Sequence, residues 1–132
     1  MVINSVLGLD VGEKRVGVAR VNLIAKIPEP LATLSNDTDF NAKLAAIIQE
    51  HSPDAIVVGL PRNMSGEETA QSAYVRQFTN EHLMQYKLPV IFQDETLSSV
   101  EAENRLGAAA AQKGAVDAVA ASVILEDYLQ TL

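Results

Sequence analysis

Three carboxylates stand where an ordinary surface role does not account for them. Asp10 closes the apolar run Ser5–Asp10 (SVLGLD), Glu95 follows Val90-Ile91-Phe92, and Asp117 is the only charged residue between Lys113 and Glu126. A charge at the end of an apolar run is costly unless it is paired or bound to a metal. Each acid also has a plainer role. Asp10 suits a turn before Gly12, Glu95 suits a solvated loop with Asp94 beside it as the competing carboxylate, and Asp117 suits a helix N-terminus. Taken together, three acids on separate elements supply hard oxygen ligands of the kind that take Mg²⁺ or Mn²⁺. Neighbouring strands lie about 4.8 Å apart. Acids one or two strands apart, joined by one from a helix, can therefore bracket two cations roughly 3.5 to 4 Å apart, the spacing of in-line phosphoryl transfer. Asp10, Glu95 and Asp117 are the expected catalytic and metal-ligating residues.

Groups suited to a phosphate-rich substrate accompany them. Leu60 to Gly66 (LPRNMSG) leads from a strand end towards a helix, offering backbone N–H groups, the guanidinium of Arg62 and the amide of Asn63. Lys14 and Arg15 can hold phosphates from a hairpin, as can Arg76, Arg105 and Lys113 from helices, although each taken singly is an ordinary solvated charge. His51 and His82 have no second ligand at metal-binding spacing and read as structural. Tyr74, Phe78 and Tyr128 read as packing residues, and aromatics at 5% of the chain argue against a single-strand binder built on base stacking.

The elements that must position these groups follow from the hydrophobic pattern. Ser5–Asp10 and Lys14–Val21 read as strands, and the short connection Val11-Gly12-Glu13 cannot hold a crossover helix, so the two pair antiparallel. A third strand around Leu23–Leu34 is interrupted by Pro28 and Pro30, which marks the sheet edge. Asn36 and Asp37 are good helix caps, and Leu44, Ile47 and Ile48 mark a helix ending near Pro53. Ala55–Gly59 and Leu88–Gln93 read as buried parallel strands joined through a helix from about Gly66 to Gln85. Ser65–Glu68 and Ser98–Glu101 both fit the S-x-x-E capping box. Val116, Val119, Ala120, Val123 and Ile124 mark a last helix from about Gly114. The sum is one α/β domain over residues 1–132, with a site beyond the carboxyl ends of its parallel strands.

Composition narrows the chemistry. Absence of Cys removes disulfides, thiolate nucleophiles and zinc–thiolate sites. The first nine residues have neither a basic start nor a long apolar run, so we expect no signal peptide and a cytoplasmic protein. A net charge of −7 is the wrong sign for nucleic-acid binding by global attraction, so a polyanion partner requires a local basic patch or metal ions.

Four motifs in order, Gly8-Leu-Asp10-Val-Gly12-Glu-Lys14-Arg15-Val-Gly17-Val-Ala19, Val58-Gly59-Leu60-Pro61-Arg62-Asn63-Met64-Ser65-Gly66, Asp94-Glu95-Thr96-Leu97-Ser98-Ser99 and Lys113-Gly-Ala-Val-Asp117-Ala-Val-Ala120-Ala121, resemble the YqgF family. These small bacterial proteins of the ribonuclease H-like superfamily are named both Holliday junction resolvases and nucleases maturing the 5′ end of pre-16S ribosomal RNA. The resemblance implies a ribonuclease H-like, five-stranded mixed sheet flanked by helices, its first three strands antiparallel and its last two parallel to the first. It also implies hydrolysis of phosphodiester bonds at Asp10, Glu95 and Asp117 with two Mg²⁺ or Mn²⁺ ions, beside which Lys14, Arg15, Arg62, Asn63 and Lys113 are the substrate contacts expected from the residues themselves. Two positions depart from the family pattern. Val21-Asn22 stands where Ser-Asp is usual, and Gly107–Gln112 before a single Lys113 stands where basic residues are usual, so the grip on substrate is thinner.

The leading expectation is a nuclease maturing precursor ribosomal RNA, with weak, strongly salt-dependent binding or help from a pre-ribosomal particle. A four-way DNA junction resolvase is the alternative, and it needs a dimer to place two symmetric cuts, whereas the first reading allows monomer or homodimer. A non-catalytic, ribosome-associated module is a third reading. Actin-like and sugar-kinase-like folds share the opening Asp-x-Gly but need two lobes.

Overall fold

The computed structural model describes residues 2–95 and 113–132. The first two strands, β1 (Ser5–Val11) and β2 (Arg15–Asn22), pair antiparallel, with Leu7 opposite Arg20 and Asp10 opposite Gly17. The connection closes through Gly12, whose N–H donates to the Arg15 carbonyl at 2.9 Å. β3 (Glu29–Ser35) runs antiparallel to β2 at the sheet edge, the place where a strand tolerates a proline such as Pro30. The register slips between Val18 and Ala19, where Ala32 and Pro30 are the partners and Leu31 is the extra residue of a bulge.

β4 (Ala55–Pro61) returns parallel to β1, and β5 (Val90–Glu95) parallel to β4, giving the order β3-β2-β1-β4-β5. Asp54 fastens the start of β4 to the start of β1: its carboxylate accepts from the N–H groups of Asn4 and Ser5 at 2.9 and 3.1 Å, which lowers its pKa. The five-stranded mixed sheet and its strand directions are those expected.

Alternation along each strand sorts the core into two layers. Leu7, Leu9, Val16, Val18, Ile56, Val58 and Leu60 face α1 (Phe40–His51) and α2 (Ala70–Phe78), meeting Phe40, Leu44, Val75 and Phe78. Val6, Ala19, Val21 and Val57 face α3 (Lys113–Leu129), meeting Ala121, Ile124, Leu125 and Tyr128. On that face Gly8 and Gly59 lie directly beneath Leu125 and Ile124.

The helix boundaries differ from the sequence reading at two places. Asn36 and Asp37 do not cap α1. Asp39 is its N-cap, the Asp37 carboxylate accepts from the Asp39 N–H at 2.9 Å, and Asn36 reaches Tyr74. The helix expected from Gly66 begins instead at Ala70, where Thr69 and Ser72 form a reciprocal capping box. The chain cannot be helical at residues 62–68 because Arg62 bridges to Glu68 and Gly66 holds a φ of +79°. After Phe78 the helix passes into a π turn (Thr79–Leu83) and a 3-10 turn (Met84–Tyr86) before β5. The second capping box, Ser98–Glu101, lies outside the described residues.

Candidate active site

Asp10 sits one residue before the end of β1, on the face that carries Val6 and Gly8 towards α3. Its partner across the β1–β2 pair is Gly17. A Cβ at Gly17 would run into the backbone carbonyl of Asp117, so α3 rests on β2 backbone against backbone at this point. That contact lowers Asp117 onto the sheet beside Asp10. Only glycine permits it.

Glu95 ends β5 on the same face, since Gly59 pairs with Gln93 and Glu95 is two residues further on. The register that sets Leu9 beside Val58 carries Asp10 alongside Gly59. The Glu95 Cγ leans to 3.8 Å from where a Gly59 Cβ would stand, and its Oε1 is shut off from solvent. A bare glycine strand position thus separates the two acids, and the Glu95 side chain bends over it. Alternation also separates the two carboxylates at the end of β5. Asp94 points to the opposite face, where Arg62 Nε donates to its Oδ1 at 3.0 Å.

The electrostatics follow from this crowding. Burial, and secondarily the charge of Asp117, push the Asp10 carboxyl up to about 6. Asp117 has a cation of its own: Arg15 Nε donates to its Oδ2 at 2.7 Å, both side chains being partly buried. Arg15, expected to grip phosphate, instead neutralises one acid of the trio.

The remaining expected contacts divide. Lys14 is exposed on the hairpin between β1, which carries Asp10, and β2. Arg62 is committed to Asp94, and Asn63 spends its side-chain oxygen on the N–H groups of Ser65 and Glu67, at 3.0 and 2.9 Å. Both therefore build the loop they were expected to extend from. Arg76 pairs with Glu68 at 2.6 Å and lies 5.0 Å over the Phe92 ring. Arg105 and the side chain of Lys113 lie outside the described residues. His51 meets Arg20 at 2.8 Å, and His82 packs on Phe78 with ring centroids 4.5 Å apart, so neither faces the acids. Tyr74 and Phe78 pack on the face away from α3, as expected.

Among the described residues no three His, Asp or Glu side chains converge as a finished metal cage. The donor set nevertheless fits a hard divalent cation. Two carboxylates crowd each other, one is pushed towards neutrality, and a guanidinium already sits against the other. Positive charge is what the place lacks.

A family of known proteins, RuvX, described as Holliday junction resolvase, matches residues 4–131. This chain belongs to the RuvX family. RuvX is the YqgF family under another name, so the resemblance carried by the four motifs holds, and with it the reading as a nuclease. Curated relatives agree: a protein of Paraburkholderia phymatum is 39% identical over 97% of this chain and 86% of its own length. One of Synechocystis is 40% identical over 93% and 85%. Both bear the name "Putative pre-16S rRNA nuclease". Among solved structures, RuvC of Thermus thermophilus, in complex with a Holliday junction substrate, superposes with a TM-score of 0.60 at 14% identity, over 97% of this chain and 96% of that one. The Fowlpox virus Holliday junction resolvase does so with a TM-score of 0.50 at 15% identity, over 97% and 99%. The ribonuclease H-like fold of this RuvX chain is thereby shown.

One departure from the RuvX motif now has a physical account. Val21 is buried against α3, and Asn22 pairs with Ser5 while its side-chain Oδ1 accepts from the N–H groups of Ile24 and Ala25. Both stand at the end of the sheet away from Asp10 and do not touch the acids. The other departure, at residues 107–112, lies outside the described residues.

Proposed function

We propose that this nuclease hydrolyses phosphodiester bonds at the 5′ end of precursor 16S ribosomal RNA, with Asp10, Glu95 and Asp117 as its metal-holding acids. The observation that carries the site is the approach of α3 to Gly17, which brings Asp117 to Asp10 on the face where Glu95 also lies. The names of the curated relatives support the substrate.

Mg²⁺ or Mn²⁺, in two sites, would supply polarisation of the scissile phosphate and a more acidic attacking water. The chain's own residues do the rest. Asp10, ionised above pH about 6, presents an oxygen at the strand end, Asp117 presents another from above, and Glu95 reaches over Gly59 from the far side. Lys14, exposed on the hairpin that follows Asp10, would meet the phosphodiester backbone, and Arg15 would join it only by exchanging Asp117 for phosphate oxygens. No histidine stands among the described residues at this edge, so no imidazole base is assigned. With a net charge of −7, a pre-ribosomal particle in the cytoplasm is the setting that would hold such a protein on RNA.

The test is cleavage of a labelled precursor 16S RNA fragment in Mg²⁺ or Mn²⁺, with a four-way DNA junction alongside and Asp10→Asn as control. RNA cutting that EDTA and the variant both abolish is the expected result. Cutting of the junction alone would favour the second reading, a junction resolvase, which the description of the matching family supports. Silence of the folded protein on both, and again on pre-ribosomal particles, would overturn both and leave the non-catalytic, ribosome-associated module.

A further inference from the structure

Met64 is 99% exposed, the most exposed large apolar side chain among the described residues. Single exposed apolar residues are common and usually mean nothing. What distinguishes this one is the rigidity and place of the loop that carries it. The Arg62 N–H donates to the Glu95 carbonyl at 2.9 Å, so the loop leaves the sheet directly beside an active-site acid. Met64 is two residues beyond, within roughly 7 Å of Arg62 along the chain. Asn63 then binds the loop to itself. Its side-chain oxygen takes the N–H groups of Ser65 and Glu67, its own N–H donates to Glu67, and its carbonyl receives Gly66. Gly66 completes the turn with a positive φ. Arg62–Asp94 below and Arg76–Glu68 at the side clamp the base. A loop so constrained could have turned a polar residue outwards; it holds a thioether side chain in water instead.

Rigidly presented Met, Leu, Ile or Phe side chains beside a nucleic-acid groove act as wedges, entering between adjacent bases and unstacking them. The geometry points to Met64 as such a wedge, inserted into the base stack of the bound nucleic acid beside the scissile phosphate. Its role is to position the strand, and the inference rests on the nuclease reading above. Unstacking at that step would turn the phosphate towards Asp10 and Glu95, and it requires an apolar side chain without requiring sulfur. Leucine should therefore replace methionine, and alanine should not.

The cut position is first mapped with the unaltered protein, and 2-aminopurine is then placed on either side of it. In the Asp10→Asn background, binding should raise the fluorescence several-fold. Adding Met64→Leu should keep the rise, and adding Met64→Ala should remove it. With Asp10 intact, Met64→Ala should lower kcat about 10-fold while KM stays within about twofold. Its melting temperature should not change, because Met64 packs against nothing. Fluorescence and cutting unchanged in Met64→Ala, with the unaltered protein active, would overturn the wedge and leave the nuclease reading standing. An unaltered protein that cuts neither RNA nor junction would overturn both.

Discussion

Asp10 shows how one residue's position becomes a measurable property. Its carboxyl is raised to about 6 in the folded chain against the ordinary 3.8. Between these values the folded state holds more protons than the unfolded one, so stability is greatest below pH about 4 with respect to this group. It declines as pH rises through 6. A shift of this size corresponds to about 3 kcal/mol above pH 6. Asp10→Asn, without metal, should therefore be more stable than the unaltered protein at pH 7.5 by up to that amount and equal to it at pH 4, as urea unfolding at both pH values would show. A loss of stability at pH 7.5 would mean that Asp10 serves the fold. The opposite expectation attaches to Arg15→Ala. Removing the guanidinium leaves Asp117 facing Asp10 without its cation, so the variant should lose about 1 to 3 kcal/mol at pH 7.5. It should regain much of this at pH 5 or in millimolar Mn²⁺. The pair is separated by 102 residues in sequence, so nothing in the local pattern around Lys14-Arg15 announced it. The three acids drew notice as candidates because each interrupts an apolar run, whereas the commitment of Arg15 arises only from folding.

At the scale of elements, the sheet was legible and the helix starts were not. A connection too short for a crossover dictated the β1–β2 hairpin, and proline marked the edge at β3. The choice between Asp94 and Glu95 was also within reach, since period-2 alternation from Gly59 and Gln93 assigns them opposite faces. The start of α2 misled because Ser65–Glu68 and Thr69–Ser72 are both plausible caps. Asn63 and the positive φ of Gly66 decide between them, and those are properties of a folded loop. The element contact that matters most is α3 on Gly17. Gly17→Ala would drive a methyl into the Asp117 carbonyl, and backbone on backbone cannot yield as a flexible side chain can. We expect a loss of at least about 2 kcal/mol and a melting temperature lower by roughly 6 to 10 °C. Cleavage should fall more than stability explains, because Asp117 is lifted from Asp10. Gly59→Ala is the informative companion, meeting only the tip of Ile124 and the flank of Glu95. It should cost less stability and still impair cutting.

For the whole molecule, the question is how a chain of charge −7 holds a polyanion. Every arginine among the described residues is matched by a carboxylate: Arg15 by Asp117, Arg20 by Glu29, Arg62 by Asp94 and Arg76 by Glu68. Among the described residues Lys14, Lys26, Lys43 and Lys87 stand outside these pairs, and of these four only Lys14 lies on the hairpin that follows Asp10. The number of counterions released on binding should therefore be small, and this refines the expectation of a strongly salt-dependent grip drawn from net charge alone. With about three phosphate contacts the logarithm of the binding constant should fall with a slope near −2 to −3 against the logarithm of salt concentration. Affinity would then drop about 20- to 60-fold between 50 and 200 mM salt, against about 10³- to 10⁵-fold for a protein making 6 to 10 contacts. Binding of Asp10→Asn to the precursor fragment across that range, in constant Mg²⁺, measures the slope. A Lys14→Ala substitution should make it shallower by about 1. A slope steeper than about −6 would mean that arginines now seen in ion pairs exchange their carboxylates for phosphates, and Arg62→Ala would then flatten the line where Lys14→Ala alone could not.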